Sequence, residues 1–158
     1  MDNSDEKEDL KPIIENIVKM LNESLEELFV SKVLQRLISF GYTIKEEDTF
    51  TIAFCIQKVE NHIKSSCNIS SIPDELIEIA VDRICGEFLF SKKQSGKLDA
   101  ENGFDIETAL KQVQVGDTNI TFAVGEGAET LETKLNSLIT YLLNAGESDF
   151  ICYRKIKW

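Results

Sequence analysis

The chain has 158 residues, 42% of them hydrophobic and 28% charged, with only two prolines; this fits one domain of the usual ~100 to 200 residues and excludes wholesale disorder, because such a core removes about 68 to 70% of the unfolded surface from water. Seventeen basic residues against twenty-eight acidic ones leave a formal net charge of −11, which excludes a basic footprint that grips nucleic acid by its phosphates. No apolar run approaches the ~20 residues that cross a bilayer, and Met1 to Leu10 is acidic where a secretory signal is basic, so the expectation is no membrane contact and a chain that stays where it is made.

Ile13, Ile14, Ile17, Val18 and Leu21 recur at three and four, the stripe of an amphipathic helix whose first turn suits Pro12. A second run through Leu25, Leu28, Phe29, Val33, Leu37 and Phe40 ends at Gly41, and glycine supplies the left-handed residue that closes many helices. Whether Asn22-Glu-Ser24 separates the two runs stays open. Thr43-Ile-Lys-Glu46 reads as a capping box for a helix of about 46–66, which carries Ile52, Ile56, Val59 and Ile63 on one face, with Phe54 and Cys55 widening it. Ile72-Pro-Asp-Glu75 starts a helix of about 73–92. There Leu76, Ile77, Ile79, Ala80, Val81, Ile84, Cys85, Phe88 and Leu89 cover most of the circumference, which predicts a central position. Lys97 to Gly103 is polar and reads as a loop.

From Lys111 the apolar period changes to two. Val113 and Val115 alternate with glutamines, Ile120, Phe122 and Val124 with small or polar residues, and Gly116-Asp117 between them signals a hairpin turn over about 111–124. After Gly125-Glu-Gly127, a helix of about 129–145 carries Leu131, Leu135, Leu138, Ile139, Leu142 and Leu143 and is closed by Gly146. The tail, 147–158, is basic and aromatic on an acidic protein. The fold class is therefore mainly α, a small bundle of four to five helices with one β-hairpin and an extended C-terminal tail.

The residue types argue for contact rather than catalysis. His62 is the single histidine, and its spacing to Cys55 and Cys67 matches no usual zinc site and leaves a cysteine nucleophile without an assigned base. Cys55, Cys67, Cys85 and Cys152 form no CxxC pair and read as reduced, small apolar fillers. Gly125-Glu-Gly127 lacks the GK[ST] of a phosphate loop and reads as a hinge. The acids Glu101, Asp105, Glu107, Asp117, Glu126, Glu129, Glu132, Glu147 and Asp149 read as a solvated face, with no pair selected for glycosidase chemistry. No catalytic residue, metal or cofactor is predicted. A lone hairpin needs a surface to lie on, and interface cores favour aromatics and arginine. The candidate contact residues are thus Val113, Val115, Ile120 and Phe122 of the hairpin and Phe150, Tyr153, Arg154, Lys155, Ile156 and Trp158 of the tail. A tail folded back on its own subunit is the open alternative, and both hold together in one assembly.

Five segments resemble one family in their order and spacing. They are Ser31-Lys-Val-Leu-Gln-Arg-Leu-Ile-Ser-Phe-Gly41, Phe54-Cys-Ile-Gln-Lys-Val-Glu-Asn-His-Ile-Lys64, Ile72-Pro-Asp-Glu75 with Cys85-Gly-Glu-Phe-Leu89, Gly116-Asp-Thr-Asn-Ile-Thr-Phe122, and Cys152-Tyr-Arg-Lys-Ile-Lys-Trp158. Together they look like the head-to-tail connector (adaptor, head-completion) proteins of phages and prophages of Gram-positive bacteria. The resemblance covers roughly 30–158 and makes 1–29 an N-terminal helical extension. It implies a non-enzymatic virion structural protein, made in the host cytoplasm, that resides in the particle neck. Its copies form a ring, a dodecamer or a hexamer, between the portal protein and a downstream neck or tail-completion protein, with DNA only passing through the lumen. An acidic lumen repels phosphate and lets a duplex slide. Two alternatives stay open: the collar of a DNA-free phage-tail-like bacteriocin, and a soluble acidic protein-binding or regulatory module.

Overall fold

The computed structural model describes residues 5–21, 27–116 and 130–156. Among them seven α-helices follow in order: α1 (Asp5–Met20), α2 (Glu27–Ser39), α3 (Thr49–Cys67), α4 (Ile77–Gln94), α5 (Ile106–Gly116), α6 (Leu131–Leu143) and α7 (Phe150–Tyr153). Short 3-10 turns at Glu46–Asp48 and Asp74–Leu76 lead into α3 and α4. The fold is a mainly α bundle. The described residues contain no strand beyond a single antiparallel bridge between Tyr42 and Phe104.

Helix α4 is central, as its nearly all-round apolar surface predicts. It packs against α2, α3 and α6 and buries Ala80, Val81, Ile84, Cys85, Phe88 and Leu89. Gly86 sits mid-helix because α6 crosses there. A Cβ at that position would stand 2.8 Å from Leu142 Cβ and 2.9 Å from the Leu143 amide nitrogen, closer than packed atoms approach. From α6, Leu135, Leu138, Ile139 and Leu142 complete this side of the core.

Helix α1 starts earlier than its hydrophobic stripe suggests, so Pro12 lies inside the helix rather than in its first turn. Proline inside the helix forfeits one backbone hydrogen bond. Ile13, Ile17 and Leu21 are buried in the same core as Phe29, Val30 and Ile52, and α1 packs on both α2 and α3. Residues 9–21 and 27–29 of the segment read as an extension are therefore packed into the bundle. The start of α3 also differs from the expected box at Thr43. It is Asp48 that reaches back, accepting from the Lys45 amide at 2.9 Å, because the chain at Thr43 is occupied by the bridge, its amide donating to the Gly103 carbonyl at 2.8 Å.

The largest correction concerns the hairpin. Residues 111–116, expected as its first arm, form the second half of α5. Ile106, Leu110 and Val113 recur at four and three, and Asp105 caps the helix, its Oδ1 accepting from the amides of Glu107 (3.0 Å) and Thr108 (3.3 Å). Over so few residues a valine–glutamine alternation satisfies both periods, and the capped start decides for helix. Val113 and Val115 thus stand on a helix, while Ile120 and Phe122 lie outside the described residues. So do Gly125 to Gly127 and Asn22 to Ser24.

The tail is likewise not extended throughout, since it opens with the single turn of α7. A turn at Gly146, with φ of +64°, swings it back over α4. A Cβ there would meet Ile79 Cγ2 at 2.5 Å, so glycine serves both the left-handed backbone and the close approach.

Candidate protein-interaction surface

Two exposed apolar areas lie at opposite ends of α3. The first begins where α3 begins. Phe50 and Phe54, four apart and so on one side of the helix, are 70% and 58% exposed. An ion pair between Lys58 and Glu87 (2.7 Å) links α3 to the antiparallel α4 one turn further on, and Phe90, also exposed, stands one turn beyond Glu87 on α4. Glu46 and Glu47, exposed on the turn that precedes α3, belong to no ion pair among the described residues. This end of α3 therefore carries exposed aromatic rings and, on the turn before it, the carboxylates of Glu46 and Glu47, with Lys45 next in the chain and Lys19 of α1 across a cleft from Glu46.

Its footing is a buried polar network. Asp48 is fully buried and forms an ion pair with Lys92 of α4. The Tyr42 hydroxyl donates to both carboxylate oxygens, at 3.2 and 3.1 Å. Burial, reinforced by the Asp48 charge, pushes the Tyr42 phenol up beyond any physiological pH. The Tyr42 ring meets Phe88 edge-on at 5.0 Å, and the Lys92 ammonium lies 5.5 Å from the centre of the same Phe88 ring. No polar side-chain atom in the described interior lacks a partner, so the network holds the start of α3 rigidly against the end of α4.

The second area is the tail, which is latched to its own subunit. Arg83 of α4, itself buried, donates through Nε to the Ala145 carbonyl (2.7 Å), pairs with Glu147 and lies 4.6 Å over the Phe150 ring. Phe150 is 4% exposed, edge-on to His62 at 6.3 Å, and its carbonyl accepts from the Cys67 thiol at 3.6 Å. Asn68 ends α3 in the left-handed conformation. Its side chain donates to the Lys155 carbonyl (2.8 Å), while the Lys155 amide donates to the Cys67 carbonyl (2.8 Å) and Arg154 Nε to the Ser66 carbonyl (3.1 Å). Main chain and Phe150 thus face inward. Tyr153 is half-buried, whereas Ile151 and Ile156 are 76% and 72% exposed beside the exposed Arg154 and Lys155. Trp158 lies outside the described residues.

The remaining candidates sort plainly. Among the described residues no group of three or more His, Cys, Asp or Glu side chains is placed to hold a metal ion. His62 is exposed and lines an open cleft of about 430 Å³ with Lys58, Asn61, Ser65, Arg83 and Glu87. Cys55, Cys67 and Cys85 are buried fillers, but Cys152 is exposed. Burial pushes the Cys55 thiol up to about 12 and raises Cys85 and Cys67 as well. Glu101, Asp105, Glu107, Glu132 and Asp149 are exposed, and Asp117, Glu126 and Glu129 lie outside the described residues. Hydrogen bonds from Thr108 hold the Asp105 carboxyl below the usual carboxylate range. No helix of the described residues is long and apolar enough to cross a membrane.

Sequence reasoning passed over Phe50, and it assigned Phe54 to the buried stripe. The signal was present: at about 100° per residue, Phe50 and Phe54 both stand roughly 200° from Ile52, opposite the Ile52–Ile56–Val59–Ile63 face. Arg83 and Asn68, which hold the tail, carry no such local signal. No protein-family model, no curated protein and no solved structure matches this chain.

Proposed function

We propose that this chain is a structural subunit of the neck of a tailed phage or phage-tail-like particle, where copies form a ring beneath the portal that joins head to tail. The observation that carries the reading is the pair of unlike exposed areas, one aromatic and acidic, one aliphatic and basic, at the two ends of α3. A closed ring is built from heterologous contacts, so each subunit needs two different complementary patches rather than one that pairs with itself. Support comes also from the segment order that resembles head-to-tail connectors, and from a net charge of −11 that suits a channel through which DNA moves without sticking. In this role the bundle does no bond chemistry. It spaces its two contact areas and presents them rigidly, and the portal above and a tail-completion protein below are its coaxial partners.

The test is made on particles. An antibody to the chain is expected to label the junction of head and tail, or the collar above the tube where the particle carries no DNA. Deleting the gene is expected to leave filled heads and free tails that do not join. Complete tailed particles assembled in its absence refute the reading. Labelling of a bacterial cytosolic complex instead of particles favours the regulatory-module alternative.

A further inference from the structure

The neck reading leaves open which surfaces of neighbouring copies meet, and the two ends of α3 answer it. About 25 Å of helix separates Phe50 from Cys67 at a rise of 1.5 Å per residue. Within one subunit, Lys155 is fixed at the far end by its backbone bond to Cys67, so the tail residues 151–156 cannot reach the subunit's own phenylalanines. The two areas are complementary in both chemistry and charge. One offers Phe50 and Phe54 near the carboxylates of Glu46 and Glu47, which belong to no ion pair among the described residues and outnumber the adjacent Lys45, and the other offers Ile151 and Ile156 with the cations of Arg154 and Lys155.

We infer that the tail of one copy docks on the Phe50–Phe54 face of the next, with Arg154 and Lys155 set against Glu46 and Glu47. Copies then join head to tail, each giving its tail and receiving another's. The occupant of the aromatic face is therefore a second copy of this chain, and the inference rests on the neck reading for the expectation that the chain self-associates. Opposite charges steer and orient such a contact, and like charges placed opposite each other suppress it. Desolvated aromatic rings near its centre supply the larger share of the binding energy.

The experiment exchanges the charges on the full chain and follows mass by sedimentation velocity. E46K/E47K makes the face basic, and R154E/K155E makes the tail acidic. Each variant alone is expected to self-associate roughly tenfold or more weakly than the wild type. An equimolar mixture is expected to assemble again in alternation, because the basic face then meets an acidic tail and the acidic face meets a basic one. K155E alone, which spares the Arg154 bond to Ser66, separates charge from latch and is expected to show the same loss in part. Wild-type self-association unchanged by either exchange, or not recovered on mixing, overturns the inference. A wild-type chain that remains monomeric up to millimolar concentration overturns it as well. The neck reading survives either result if the chain still labels the head–tail junction, and fails separately if it does not.

Discussion

Truncating Phe150 to alanine measures whether the tail is latched. The ring is 4% exposed, stacks 4.6 Å beneath Arg83 and lies edge-on to His62. Removing a buried phenylalanine ring costs about 3 to 5 kcal/mol through lost burial and the cavity it leaves, and losing the cation–π contact adds about 0.5 to 1 kcal/mol. Where the total stability lies above the low end of the usual range of roughly 5 to 15 kcal/mol, the variant folds but melts roughly 7 to 24 °C lower. Ile151 is the control: it is the next residue, 76% exposed, and its truncation should change stability by no more than about 0.5 kcal/mol. Urea titrations followed by circular dichroism give both values from the midpoints when the slopes agree. A loss below about 1 kcal/mol for F150A, or equal losses for the two variants, refutes the latch and with it the inward and outward assignment of the tail.

Three further outcomes are expected. Replacing Lys92 with methionine leaves the buried Asp48 carboxylate without its cation and should cost about 3 to 5 kcal/mol, much of it recovered when D48N is added; a urea midpoint within about 1 kcal/mol of wild type contradicts the buried pair. G86A should destabilise by about 1 to 3 kcal/mol although alanine favours helices, since its Cβ would stand 2.8 Å from Leu142 Cβ; a raised melting temperature refutes the close crossing of α4 and α6. The thiolate is the reactive form of cysteine, so at pH 8 a disulfide reagent should titrate one of the four thiols in the native protein and all four in urea. C152S should abolish the native reaction, because burial holds the Cys55 thiol at about 12 and raises Cys85 and Cys67.

Where a helix is long and its stripe regular, the sequence was a sufficient guide. Helices α3, α4 and α6 fall within a few residues of their expected spans, because four or more apolar positions repeat at three and four and only one period accommodates them. The all-round apolar pattern of α4 gave its central place for the same reason. The reading failed where the signal was short or distant. Val113 and Val115 satisfied two periods at once, and the deciding cap at Asp105 lies between the loop of Lys97 to Gly103 and the hairpin expected from Lys111, in a stretch given no element. Phe54 was counted with Cys55 as widening the buried stripe, although its phase on the helix matches Phe50 rather than Ile56. The latch was not legible at all: Arg83 and Ala145 are 62 residues apart, and no local pattern marks a buried arginine that will receive a turn from so far along the chain.

The tail also shows why docking on its own subunit and contacting another are not competing fates. An unanchored segment that orders on binding loses about 1 to 2 kcal/mol of backbone entropy per residue, which would consume most of what two isoleucines and two exposed cations supply. Here the ordering is done within the subunit, by Arg83 on Ala145 and Glu147, by the buried Phe150 ring, and by Asn68 and Cys67 on the backbone of Lys155. On the tail these contacts use main chain, the Phe150 ring and the Glu147 carboxylate, with Arg154 Nε on the Ser66 carbonyl, and they leave Ile151, Arg154, Lys155 and Ile156 exposed. In the proposed contact, a segment fixed in that way would meet its partner already shaped, and preorganisation raises affinity without adding any contact. On the docking proposed above, the buried latch sets the geometry in which the exposed residues beside it would bind.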